Sequence, residues 1–176
     1  GGETFTTSVE VRPDPRVDVP RADMEAQLAF ALEVRDDLTQ MAEIVGELRA
    51  VREHVIARTA LLDGNQAAEE LRTGAHALVA KLDLLESKLH NPEARVNYDI
   101  LAGRSGGVKL HSRLSPLYSW AHDGDGAPTA PIREIHAGIR EELKEVAAEW
   151  TSILETDLPA LNAKARSLDL DFVATP

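Results

Sequence analysis

In a chain rich in acids and histidines, the first chemistry to look for is metal binding. Glu-x-x-His puts two ligands on one face of a helix, and helical bundles use it to build di-metal sites. The pattern does not occur here. The six histidines, His54, His76, His90, His111, His122 and His136, include no pair at i, i+3 or i, i+4, so His-Glu-x-x-His is missing too. Glu53-His54 and Glu134-x-His136 point to different sides of a helix. The histidines therefore read as structural or solvated groups. Asp123, Asp125 and Glu134 occupy positions 1, 3 and 12 of a calcium-loop template. Its fifth position is Ala127, with no side-chain oxygen, and its sixth is Pro128 where glycine is required, so the loop reads as a plain helix connection.

Gly103-Arg104-Ser105-Gly106-Gly107 matches the Gly-x-Ser-x-Gly form of a nucleophile elbow. That turn exposes its serine only between a strand and a helix, above a parallel sheet. Nothing before it alternates strand and helix, so the sequence predicts a flexible helix-entry loop. Absence of cysteine removes disulfides, thiolate metal sites and thiol nucleophiles together. Tyr118, Trp120 and Trp150 are large side chains in a chain with only 4% aromatics. They read chiefly as core fillers; Tyr118 and Trp120, with Tyr98, form the candidate interaction surface. No catalytic, cofactor-binding or metal-binding residue is assigned.

The elements that must position these residues are helices. From Asp23 onward, Met24, Leu28, Ala31, Leu38, Met41, Val45, Leu48, Val55 and Leu62 recur at threes and fours or their multiples, with Asp23 as N-cap and Gly64 as stop. Gly46 within that stretch suggests a close helix crossing. A second helix over about 65–90 has the seam Ala68, Leu71, Ala75, Leu78, Leu82, Leu85 and Leu89. A shorter third carries Leu110, Leu114, Leu117 and Ala121. After the turn residues 123–128, Thr129 caps a fourth, with Ile132, Ile135, Ile139, Leu143, Val146, Trp150, Ile153 and Leu154 as its seam. Pro159 should kink or restart it. The expected fold is all-α, an antiparallel up-down four-helix bundle over residues 21–176.

Residues 1–20 differ. Glu3 to Val11 alternates, with Phe5, Thr7, Val9 and Val11 on one face, and Pro13, Pro15 and Pro20 follow. A lone strand needs a sheet to pair with, so this segment reads as the last strand and exit of a preceding β domain. The formal charge of −11 and 30 acids against 19 bases argue against nucleic acid and anionic membrane surfaces as partners. No apolar run approaches the roughly 20 residues of a membrane span.

Three stretches together carry a family likeness: Val9 to Val17 (Val-Glu-Val-Arg-Pro-Asp-Pro-Arg-Val), Gly106 to Trp120 (Gly-Gly-Val-Lys-Leu-His-Ser-Arg-Leu-Ser-Pro-Leu-Tyr-Ser-Trp) and Asp123 to Thr129 (Asp-Gly-Asp-Gly-Ala-Pro-Thr), with Asp157-Leu-Pro-Ala-Leu-Asn162 fitting behind them. In that order they resemble the C-terminal region of large bacterial proteins with sortilin-like, Asp-box-repeat β-propellers, often labelled glycosyl hydrolases. The chain departs from that pattern at His111, where an aromatic is common. The resemblance implies a non-catalytic helical tail whose partners are the preceding domains of a parent protein, or a second copy of itself, in an exported setting. It places any carbohydrate or peptide site in the propellers, so no family functional residue falls here. Rival expectations are an accessory part of a glycoside hydrolase and a small-ligand or metal-binding bundle.

Overall fold

The computed structural model describes residues 2–91 and 106–170. Among these residues the protein is all-helical and has no strand. Helix α1 spans Arg21–Ala60, α2 spans Glu69–Leu89 and α3 spans Leu110–Asp123. The fourth rod is composite: α4, Ala130–Ser152, passes through a π turn at Ile153–Asp157 into α5, Leu158–Arg166.

Each helix exists because it can bury one stripe. Along α1 the buried positions from Phe30 to Val55 are Phe30, Val34, Asp37, Met41, Ile44, Leu48, Val51 and Val55, an unbroken alternation of fours and threes, with Thr59 buried one turn further on. On the fourth rod the same alternation runs through Ile132, His136, Ile139, Leu143, Val146, Trp150 and Ile153. The seam of α2 runs through Ala68, Leu71, Ala75, Leu78, Leu82, Leu85 and Leu89, and that of α3 through Leu110, Leu114, Leu117 and Ala121. A spacing of 3.5 keeps a stripe facing its neighbour along a supercoil. Each large aliphatic side chain so buried contributes about 2 kcal/mol relative to exposure.

The true seam of α1 differs from the expected one at several positions. Leu28 is exposed, and Ala31, Leu38 and Val45 lie on the half-buried flank. Asp37 hid the pattern, because a polar residue stands where the alternation requires a core position. The N-cap is Pro20 rather than Asp23, whose carboxylate sits in the first turn near the positive end of the helix dipole. Gly64 has φ 81°, the left-handed conformation that glycine adopts without strain, and it closes the turn after α1 as expected. Gly46 marks no close crossing, since a Cβ placed there would meet nothing within 4 Å. The tight place is Gly74, whose Cβ would lie 3.3 Å from Leu161 Cδ1.

Cross-helix pairs fix the directions. Arg52 reaches Asp83 and Glu86, and Asp63 pairs with Arg72, so α2 runs against α1. Gln27 donates to the Ala121 carbonyl at 2.7 Å, while Val45 shares a groove with His111, so α3 also runs against α1. Phe30 meets His136 and Glu47 meets Trp150, so α4 runs with α1. Lys88 with Glu149 and Glu70 with Lys164 lay the fourth rod antiparallel to α2. The directions are thus up, down, down, up. The expected strict alternation is replaced by three lanes, with α2 and α3 following one another along α1.

At the π turn the seam steps by five, from Ile153 to Leu158, and the Leu158 amide bonds the Ile153 carbonyl. Pro159 explains the extra residue: it has no N–H to donate, and its ring crowds the carbonyl four residues back. The rod continues and its stripe stays inward.

Candidate functional site

Two polar knots and one groove lie against the apolar seams. The first knot joins α1 to α4. His136 Nε2 and Asp37 Oδ2 are 2.7 Å apart, and both residues are buried. Arg140 Nε stands 3.3 Å from the same carboxylate oxygen and reaches Glu33 at 3.5 Å. The edge of the His136 ring meets Phe30 at 5.0 Å between centroids and 83° between planes, with Arg133 lying 5.7 Å over the Phe30 ring. A histidine oriented by a carboxylate is half of a hydrolytic triad. Here the pair is sealed in the core, out of reach of any substrate. Asp37 is the polar member of the α1 heptad run from Phe30 to Val55, and His136 is the polar member of the α4 run. The chemistry is that of a register mark, as a lone polar core position sets alignment in coiled coils.

The second knot joins α1 to α2. Glu86 is buried and accepts from Arg49 Nε at 2.7 Å and Arg52 Nη1 at 2.6 Å, with His90 Nε2 at 2.9 Å. Arg52 also holds Asp83 at 2.9 Å. Burial pushes the Glu86 carboxyl up, the largest single influence. The hydrogen bonds from His90 and Arg49 and the charges of Arg52 and Arg49 together outweigh it, and the group sits below its ordinary range.

Beside this knot, among the described residues, the end of α2 and the start of α3 flank α1. A groove of about 500 Å3 opens there, floored by Leu38, Met41, Ala42 and Val45 and edged by Arg49, His90, His111 and Ser115. His111 and Ser115 share one face of α3. The opposite edge is already occupied, because His90 Nε2 donates to Glu86 and the Arg49 guanidinium packs beside that nitrogen. The groove suits an apolar group better than a reacting one. Among the described residues, no group of three or more histidines, aspartates or glutamates could hold a metal ion. Asp123 ends α3, Asp125 lies in the loop and Glu134 lies in α4, so these three stay in separate elements.

The aromatic candidates part company. Trp150 is core, its Nε1 donating to Glu47 Oε2 at 2.9 Å. Tyr118 is half-buried against the core, with its ring 6.2 Å from that of His122. Trp120 is 60% exposed. Two residues apart on a helix are about 200° apart in azimuth, so Tyr118 and Trp120 serve opposite flanks of α3 and form no shared platform. Tyr98 lies outside the described residues, as does the Gly103-Arg104-Ser105 part of the elbow-like turn. Sequence reasoning missed Asp37, His136 and Glu86 as partners. A signal existed for the first two: each stands at a seam position flanked by apolar members three and four residues away.

No protein-family model, no curated protein and no solved structure matches the chain. No helix among the described residues is long and apolar enough to cross a membrane.

Proposed function

We propose that this chain is a structural, protein-binding helical module: a stiff spacer with an adhesive N-terminal arm, serving as the helical part of a larger propeller-type protein. The observation that supports the reading is the arm. Phe5, Val9 and Val11 are 87%, 82% and 91% exposed, while the helical core is packed without them. An apolar face left in water beside a finished core suits a partner surface. Its alternation fits strand addition to a sheet edge, where backbone bonds give affinity and alternate side chains give specificity. A local turn closes at the base of the arm: the Asp14 carboxylate accepts from the Arg16 amide at 2.9 Å and the Val17 amide bonds the Asp14 carbonyl at 3.0 Å. The two polar knots are neutralised from within, which suits cross-ties rather than reacting groups.

The test is the triple variant Phe5→Ser, Val9→Ser, Val11→Ser. Its melting temperature should stay within about 2 °C of the parent, since surface changes rarely exceed half a kcal/mol. Its association with a preceding β domain, supplied as a separate polypeptide and followed by sedimentation, should be lost. An unchanged complex, or a melt lowered by many degrees, would defeat the reading.

A further inference from the structure

A second surface, independent of the arm, lies on the outer seam between α3 and α4. Arg113 donates to both carboxylate oxygens of Glu142 at 2.7 Å and fixes the antiparallel register of the two helices. Trp120 stands two turns onward from Arg113, and Ile135 stands two turns back from Glu142. On helices rising 1.5 Å per residue, that brings both side chains to the same height on the same flank. Trp120 is 60% exposed and Ile135 is 52% exposed. Between them and the ion pair, Pro116 and Gly138 are exposed as well, and a Cβ at Gly138 would meet nothing within 4 Å. The flank is therefore apolar, with a shallow seat where Gly138 adds no side chain. Trp120 also lines a cavity of about 230 Å3 with Phe30, Pro128 and Ile132 at the loop end.

The rim is acidic. Asp123 follows Trp120 by three residues, Asp125 lies in the adjoining loop and Glu134 precedes Ile135. Among the described residues neither Asp125 nor Glu134 has an ion pair. Two cations lie near the rim: Arg113, which is held by Glu142, and Arg133, which lies over the Phe30 ring and donates to the Pro128 carbonyl. An exposed tryptophan with a neighbouring aliphatic, bordered by three acids against Arg133 and the imidazole of His122, has the make-up of an interaction anchor. A second copy of the chain is a poor occupant, because each carries a formal charge of −11. Phosphate-bearing surfaces are repelled by the same rim.

We infer that the Trp120–Ile135 flank docks a basic amphipathic helix of a partner protein, its apolar stripe on Trp120, Ile135 and Pro116 and its Lys or Arg residues against Asp123, Asp125 and Glu134. This rests on the protein-binding reading above, but not on the arm. The probe is a synthetic 18-residue helical peptide of leucine and lysine only, with Leu at i, i+3, i+4 and i+7 spacing, titrated into the full chain. Trp120 emission should shift to the blue and saturate, and the affinity should fall as salt rises. The discriminating variant is Ile135→Asp, which removes apolar surface while adding a negative charge. Docking on the flank requires about tenfold weaker binding, whereas attraction by charge alone requires tighter binding. Trp120→Ala, read by peptide anisotropy, should weaken binding similarly. Both positions are exposed, so helical circular dichroism and melting should be preserved. The Phe5, Val9, Val11 variant should bind the peptide like the parent, which separates failure of the arm from failure of the flank. No saturable binding, equal binding by Ile135→Asp, equal binding of a leucine–glutamate peptide, or self-association through Trp120 would each overturn the inference.

Discussion

Asp37 and His136 decide more than their number suggests, because each is the polar member of an otherwise apolar heptad run. A buried hydrogen-bonded pair adds little net stability, yet removing one partner strands the other in the core. His136→Leu should therefore cost about 3 kcal/mol, leaving Asp37 with only Arg140. Asp37→Leu should cost a similar amount. The double variant should lose clearly less than the sum, since neither polar group is then left unmatched. Urea unfolding of the four proteins completes the cycle, and additive losses would show that the pair is not coupled. At Glu86 the geometry leads elsewhere. Arg49 and Arg52 are partly exposed and recover water when the acid is neutralised, so Glu86→Gln should cost about 1–2 kcal/mol.

Among the elements, the seams of α2 and α3 were fully legible, because their members are all apolar. The seam of α1 was legible only in part: Met41, Leu48, Val55 and Leu62 were read as core, whereas Val45 was read in place of Ile44. Near its start Leu28 competed with Phe30, and only the partner helix could show which stripe lay inward. Directions were not legible at all: periodicity marks a face but says nothing about which lane a helix occupies, and α3 resumed the course of α2. Trp120 could not be told from core filler, since hydropathy is blind to azimuth until the seam is known. The glycines yield a prediction at this scale. Gly46→Ala should stabilise by about 1 kcal/mol, because helix propensity rises and the new methyl meets nothing. Gly74→Ala should change stability by less than about 0.5 kcal/mol, as the same gain is offset where Leu161 must move aside. Thermal melts of the two variants check the contrast.

For the molecule as a whole, pH acts through carboxylates tied across helices. Glu86 sits below its ordinary range for the reasons already given. Glu142 does so because Arg113 hydrogen-bonds it, against the opposing effect of burial and with help from the Arg113 charge. In both, the folded form holds its proton less tightly than the unfolded chain. The stability they contribute is complete above the unfolded carboxylate pKa of about 4.3 and is lost as pH falls through their lowered folded values. The urea midpoint should accordingly be lower at pH 3 than at pH 6, and Glu86→Gln should flatten part of that difference. An identical slope in the variant would remove Glu86 from the account. The parallel course of α1 and α4 has a mechanical corollary. Tension entering at one end of α1 and leaving by the far end of α4 loads their interface in shear, the direction in which a greasy contact resists least. Slippage by one repeat, about 10 Å, would exchange one apolar side chain for another almost everywhere. It would also drag an aspartate and an imidazole into hydrocarbon, so the rod is keyed against creep at that station.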